Sequence, residues 1–370
     1  MSQNLSNKNK VIIASAGSGK TTYIVEEALK LKGQRALVTT YTNENLDQIK
    51  TYFMEKNGCT PANITVQSWF SFLLQEGVRP YQNHKSNRSR VQSIYFFKNT
   101  NNEQQLIKRL RYIKESEDDH YLTKNSYLYE DKVSQFAYKC NEQSKGLIIK
   151  RLEKIYDHIL IDEAQDLEGW DYDLIGNLID SSISIVLVGD PRQKILKTHR
   201  HVKNKAFETV FDWLNKKKGG NYTPQEKTES LRCNQHICDF ADKLFPDLPK
   251  TISKNTDTTN HDGIFYILSK DVGNYISTHN PVILRYNKKM DILGFNAINI
   301  GVSKGRTFNR VLIFPTRPML EYLETEDISK AGDKSELYVA ITRAKYSVAF
   351  VVDNKNLIKR NLPQNRAKTE

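Results

Sequence analysis

Residues 11–21 read Val11-Ile12-Ile13-Ala14-Ser15-Ala16-Gly17-Ser18-Gly19-Lys20-Thr21, an apolar run passing directly into a glycine-rich turn that ends in Lys-Thr. Four residues separate Ala14 from Gly19-Lys20-Thr21, with alanine standing where glycine is commoner. A buried strand is expected before the turn and a helix after it. Gly17 and Gly19 lack Cβ, so the backbone can curl with its N–H groups pointing inward around phosphates. The helix opening at Thr21 adds its positive dipole end. The phosphate cradle is therefore expected to comprise Ala16, Gly17, Ser18, Gly19, Lys20, Thr21 and Thr22. Lys20 would bridge the β- and γ-phosphates, and the Thr21 hydroxyl would ligate Mg²⁺.

A second apolar run, Ile159-Leu160-Ile161, ends in Asp162-Glu163-Ala164-Gln165-Asp166. A carboxylate at a strand end reaches the same sheet edge as the glycine turn. Asp162 is the expected metal partner, and Glu163 the base that orients or deprotonates an attacking water. Two adjacent carboxylates repel unless a cation sits beside them, which fits Mg²⁺. Hydrolysis of ATP or GTP is the chemistry these two motifs imply.

The rest of the chain repeats the alternation. Ala36–Thr40, Ile64–Val66 and Ile183–Val188 read as further strands buried on both faces, with helices over Thr21–Leu31, Asn43–Phe53 and Ser68–Gln75. The pattern restarts after Lys216-Lys217-Lys218-Gly219-Gly220-Asn221. Strands are then expected at Ile264–Leu268, Val282–Tyr286, Val311–Phe314 and Ser347–Val352, with helices at Asn234–Leu244 and Ser335–Lys345. The fold class is α/β, with two doubly wound parallel-sheet domains. Residues 1–220 form the first and 221–370 the second, with the Gly-Gly and Pro224 as linker. Residues 80–156 break the rhythm and read as a helical insertion. Within it, Tyr129, Val133, Phe136 and Ala137 are expected to share one helix face.

The 370 residues carry 55 Lys+Arg against 43 Asp+Glu, a net charge of +12, which favours a polyanionic partner only weakly. No apolar run approaches the ~20 residues needed to cross a bilayer, so no membrane association is expected. The polar start and the short run at Val11–Ala14 do not read as a secretory leader. Cys59, Cys140, Cys233 and Cys238 offer no paired metal clip and no disulfide framework, and are expected as reduced thiols in a cytoplasmic protein.

The order of motifs resembles superfamily 1 helicases of the UvrD/Rep type, in a compact form without the large insertion in the second RecA-like domain. Lys20-Thr21 and Asp162–Asp166 match the first two motifs. Thr39-Thr40-Tyr41-Thr42-Asn43 and Ser68-Trp69-Phe70-Ser71-Phe72 resemble segments that contact single-stranded DNA. Gly189-Asp190-Pro191-Arg192-Gln193 is similar to the third motif, whose glutamine senses the γ-phosphate. Leu231-Arg232-Cys233-Asn234 and Tyr338-Val339-Ala340-Ile341-Thr342-Arg343 resemble the motifs that each supply an arginine. Ser303-Lys304-Gly305-Arg306-Thr307-Phe308 resembles the one facing nucleotide and strand. The resemblance implies an ATP hydrolase with catalytic Glu163, Gln193, Arg232 and Arg343, the arginines stabilising charge on the transferring phosphoryl group. It also implies a nucleic-acid contact through Thr39, Tyr41, Asn43, Ser68, Trp69, Ser303 and Lys304.

The basic stretch Lys194–Lys205 follows the third motif, and Lys197 and Arg200 are expected to track phosphates. His199 and His201 have no accompanying metal-ligand set. Trp69 is the aromatic ring expected to be exposed for base stacking. Departures from the family pattern are specific. Leu196 stands where a stacking tyrosine is usual, Arg306 and Thr307 replace a Leu-Glu pair, and little chain precedes the first strand for an adenine-reading glutamine. The reading that follows is an ATP-driven single-stranded DNA translocase or helicase moving 3′→5′, with RNA open as the strand and a protein loading partner conceivable. The alternative is an ATP-gated nucleic-acid-binding or regulatory protein that does not unwind.

Overall fold

The computed structural model describes residues 8–98, 100–195, 203–218 and 221–358. It divides into two compact units, one of residues 1–12, 21–189 and 197–225, the other of residues 13–20, 190–196 and 226–370. The second therefore includes the glycine turn and the segment from Asp190, which sequence position alone assigns to the first half. The chain passes between units for the last time at Gln225–Glu226. Thr223–Lys227 is a strand at the edge of the first sheet, so the region after Gly220 is not simply linker. Pro224 is accommodated there because an edge strand can leave one backbone position unpaired.

The first sheet has six strands in the order Ile64–Ser68, Ala36–Thr40, His158–Ile161, Ser184–Gly189, Lys10–Ala14, Thr223–Lys227. The first four pair in parallel. Every residue of Ala36–Thr40 is buried, as expected of a strand covered on both faces. The helix Asn43–Asn57 starts where the Thr42 side chain accepts from the Asn45 N–H, and it stops at Gly58 with φ 74°.

Two expectations are corrected here. Ser68–Gln75 is not one α-helix: an α-turn over Trp69–Phe72 widens into a π-helix over Leu73–Val78, the Arg79 N–H reaching the Leu74 carbonyl at 3.0 Å. Residues 80–156 are not wholly helical either. The helices Asn101–Leu110, Val133–Gln143 and Leu147–Ile155 accompany a parallel pair, Ser93–Tyr95 with Tyr127–Tyr129. Tyr129 thus ends a strand, although it is buried together with Val133, Phe136 and Ala137 as the apolar spacing requires.

The second unit is built on a five-stranded, all-parallel sheet ordered Gly263–Leu268, Ala344–Val352, Phe308–Ile313, Val282–Arg285, Ile298–Asn299. Alternation along its strands serves two cores. Val311, Ile313, Val348 and Phe350 pack with Leu337 and Ile341, while Leu312, Ala349 and Val351 pack with Val272 and Tyr275. The helix Lys334–Ile341 ends before Arg343, and Ala344 already belongs to a strand, so the expected helix to Lys345 stops short. Cys238 lies on the helix Gln235–Asp242 and Cys233 just before it; all four cysteines are free thiols. No helix among the described residues is long and apolar enough to cross a membrane.

Candidate active site and nucleic-acid interface

In the first unit, the register of the parallel strands decides where the acidic motif lands. Ile161 pairs with Thr39, and the Asp162 N–H donates to the Thr39 carbonyl at 2.9 Å, which carries Asp162 to the carboxyl end of the sheet. There the Thr21 hydroxyl donates to Asp162 Oδ2 at 2.7 Å. Asp162 is 1% exposed, and its other oxygen accepts from the Glu163 N–H at 2.9 Å. Glu163 is half-buried with φ 53°, a left-handed conformation uncommon for a residue with a side chain. The Gln165 amide donates to its carboxylate.

In the second unit, Gly17 and Gly19 have φ of 75° and 72°, as a phosphate-cradling turn requires. Ala16 is buried, its N–H 3.5 Å from the Tyr338 hydroxyl. Lys20 is 8% exposed, and the buried Ser18 hydroxyl has no hydrogen-bond partner among the described residues. A Cβ at Gly17 would fall 2.6 Å from Arg232 Cβ and 2.7 Å from Ser230 Oγ. Arg232 thus lies against the turn, with Nη1 donating to the Thr342 carbonyl at 3.1 Å. Arg343, 1% exposed, donates to the Val339 carbonyl at 3.1 Å and to Gln193 Oε1 at 3.1 Å. Gln193 in turn donates to Asp190 Oδ2 at 2.8 Å. Two residues 150 apart in sequence, Gln193 and Arg343, are therefore in direct contact.

Tyr41, Asn43 and Ser68 meet in a cavity of about 430 Å³ in the first unit, which Phe70, Ile94 and Phe96 also line. Tyr41 and Phe70 pack edge to face at 5.0 Å, and Phe70 and Phe96 at 5.9 Å. Among the described residues no Lys or Arg lines the cavity. Flat apolar rings without cations suit a nucleobase better than a phosphate.

Several expected nucleic-acid contacts are placed elsewhere. Trp69 is 1% exposed, not a surface platform, with its indole N–H donating to Asp171 Oδ1 at 2.7 Å. The helical turn sends Trp69 and Phe72 into the core and leaves Phe70 facing out. Thr39 is fully buried because it lies inside the sheet. Ser303 is fully buried as well, its hydroxyl donating to the Ile300 carbonyl at 2.7 Å, whereas Lys304 is half-buried. Lys197 and Arg200, along with His199, His201 and Leu196, lie outside the described residues.

A family model described as an AAA domain matches residues 1–199, and one described as the viral superfamily 1 RNA helicase core domain matches residues 128–352. The chain belongs to the superfamily 1 helicases. No curated protein matches its sequence. Among solved structures it is similar to an arterivirus nonstructural protein 10 helicase in complex with DNA, at 14% identity and TM-score 0.50, covering 95% of this chain and 63% of that one. A crystal structure of arterivirus nonstructural protein 10 gives 14% identity, TM-score 0.49 and coverage of 97% and 63%. The PRRSV helicase gives 16%, 0.43 and coverage of 94% and 53%. This helicase chain thus spans between about half and two thirds of the length of those proteins.

Two features of this superfamily 1 helicase escaped the sequence. Phe96 carries no motif and lines the cavity directly after the strand Ser93–Tyr95, which pairs with Tyr127–Tyr129. Arg192 carries no assigned role inside the third motif, yet it is 1% exposed and heavily bonded. The orphaned Ser18 hydroxyl and the positive-φ glycines fit a polyphosphate. The Thr21 hydroxyl and Asp162 carboxylate fit a hard cation such as Mg²⁺, which takes few protein ligands and completes its shell with phosphate and water.

Proposed function

We propose that this chain is an ATP-dependent translocase on single-stranded nucleic acid, able to separate duplexes, and that it moves 3′→5′ on DNA as the UvrD/Rep-like motifs imply. The observation that carries the reading is the Thr21–Asp162 hydrogen bond directly after the glycine turn. It sets a hydroxyl and a carboxylate side by side where a metal–triphosphate would be held. Mg²⁺, which Thr21 and Asp162 would hold, would supply neutralisation of phosphate charge. The chain's own groups do the rest. Backbone N–H groups of residues 16–20 and the Lys20 ammonium bind phosphate oxygens, and Glu163 takes the proton of the attacking water. Gln193 and Arg343 stabilise charge on the transferred group, with Arg232 beside the turn as the second arginine. Tyr41, Phe70 and Phe96 hold a base of the strand.

RNA is the second reading, favoured by the match to an RNA helicase core model over residues 128–352. The test is ATP turnover with and without unstructured DNA or RNA, beside strand displacement on duplexes with 3′ or 5′ tails. Strand-stimulated turnover that Lys20→Ala or Glu163→Gln abolishes supports the proposal. Turnover indifferent to every nucleic acid refutes it and favours an ATP-gated regulatory protein.

A further inference from the structure

Arg192 lies between the phosphate turn and the two groups assigned to γ-phosphate chemistry, and all the atoms concerned belong to the second unit. Its guanidinium is almost fully enclosed. Nε donates to Asp190 Oδ1 at 2.8 Å, Nη1 to Asp242 Oδ1 at 3.3 Å and to the Pro249 carbonyl at 3.1 Å, and Nη2 to Ser15 Oγ at 2.9 Å. The Tyr338 ring lies 5.4 Å from its central carbon. The Thr251 hydroxyl is 3.0 Å from both Ser15 Oγ and Asp242 Oδ1, closing a ring of contacts around the arginine. Only a planar fork with five donors can meet acceptors in so many directions at once.

The carboxylate of Asp190 has two duties. One oxygen takes Arg192, and the other takes the Gln193 amide at 2.8 Å. That second bond fixes which way the amide points: nitrogen to Asp190, oxygen to Arg343. Asp190 is fully buried, so loss of Arg192 would remove a charge partner from a carboxylate held in a low dielectric.

We propose that Arg192 is a positioning residue for turnover: it neutralises Asp190 and ties it to Ser15 of the phosphate turn, which keeps the Gln193 amide oriented with its oxygen toward Arg343. The proposal rests on the triphosphatase reading above. Arg192 touches no substrate; it acts through Gln193 and Arg343. Its loss should therefore slow the chemical step and leave nucleotide affinity nearly untouched.

The experiment compares wild type with Arg192→Lys, Ser15→Ala and the double variant, measuring kcat, KM for ATP, affinity for a fluorescent ATP analogue and Tm. Lysine keeps the charge but cannot reach Asp190, Asp242 and Ser15 together, so kcat should fall about tenfold or more, the usual scale for a misplaced catalytic group. Nucleotide affinity should stay near the wild-type value. Ser15→Ala should lower kcat less, and the double variant should match Arg192→Lys, because both act through one contact. Should Arg192→Lys fail to fold, Ser15→Ala alone decides: lower kcat at unchanged affinity supports the proposal, and wild-type kcat overturns it. It is also overturned by unchanged kcat in Arg192→Lys, by additive losses in the double variant, or by kcat and affinity falling together with Tm. Wild-type turnover, measured in parallel, separates the two readings. Its absence on every strand refutes the triphosphatase assignment, whereas normal wild-type turnover with unaltered Arg192→Lys turnover refutes the positioning role alone.

Discussion

Truncating Phe96 to alanine tests the base-stacking cavity with little structural collateral. The ring is 53% exposed and meets Phe70 edge to face at 5.9 Å, so its removal costs the fold no more than roughly 0.5–1.5 kcal/mol. Stacking of a base on an aromatic ring is worth ~1–3 kcal/mol. At about 1.4 kcal/mol per factor of ten, Phe96→Ala should weaken strand binding about 5- to 150-fold. Phe96 carries no charge and no cation among the described residues lines the cavity, so the salt dependence of binding, a slope of about −0.7 per neutralised phosphate, should not change. The assay is fluorescence anisotropy of a labelled unstructured oligonucleotide across a series of salt concentrations. Trp69→Phe is the matched control. It removes the indole N–H held by Asp171 at 2.7 Å and should lower Tm by the equivalent of ~1–3 kcal/mol while leaving strand affinity intact. The reasoning fails if Phe96→Ala binds like wild type, if its salt slope flattens, or if Trp69→Phe is the variant that loses affinity.

Other perturbations read the nucleotide side. Gly17→Ala forces a side chain onto a backbone at φ 75° and to within 2.6 Å of Arg232 Cβ, so ATP affinity and Tm should both drop, checked by analogue binding and thermal unfolding. Arg343→Gln should bind ATP nearly as wild type yet lose most hydrolysis; retained turnover at saturation would exclude a role in the transition state. Stability should also depend on pH. His261 stacks between Phe265 and His279 and bonds the Tyr275 hydroxyl at 3.0 Å. Burial, reinforced by the neighbouring His279 and Arg310 and opposed by Asp262, pushes its imidazole down to about 4 from 6.5. The unfolded chain therefore binds the proton more readily, and stability should fall as pH drops from 6.5 toward 4. His261→Gln should flatten that fall in a Tm series; an unaltered profile would show that another group governs it.

Much of the nucleotide site could be read before any coordinates, because its chemistry is local in the chain. A strand, a positive-φ turn and a helix in succession need only Val11–Thr22, and a carboxylate at a strand end needs only Ile159–Asp162. Parallel strands buried on both faces also announce themselves as short β-branched runs, which is why the central strands of both sheets fall close to where the pattern puts them, while the edge strands Thr223–Lys227 and Ile298–Asn299 escape it. The aromatic segment was harder. Trp69, Phe70 and Phe72 lie within four residues, and only the turn geometry and the Asp171 acceptor decide that the largest ring goes inward while Phe70 faces the cavity.

Sequence by itself determined the alternating α/β architecture, the phosphate turn, the acidic pair and the two candidate arginines, since each is encoded by residue type and spacing within about ten positions. Tertiary structure alone decided that Gln193 meets Arg343, that Phe96 joins Tyr41 and Phe70, and that Arg192 is enclosed among Asp190, Asp242 and Ser15. Those contacts join residues far apart in the chain. They depend on strand order and register, which hydrogen bonding fixes between segments and no local pattern can express.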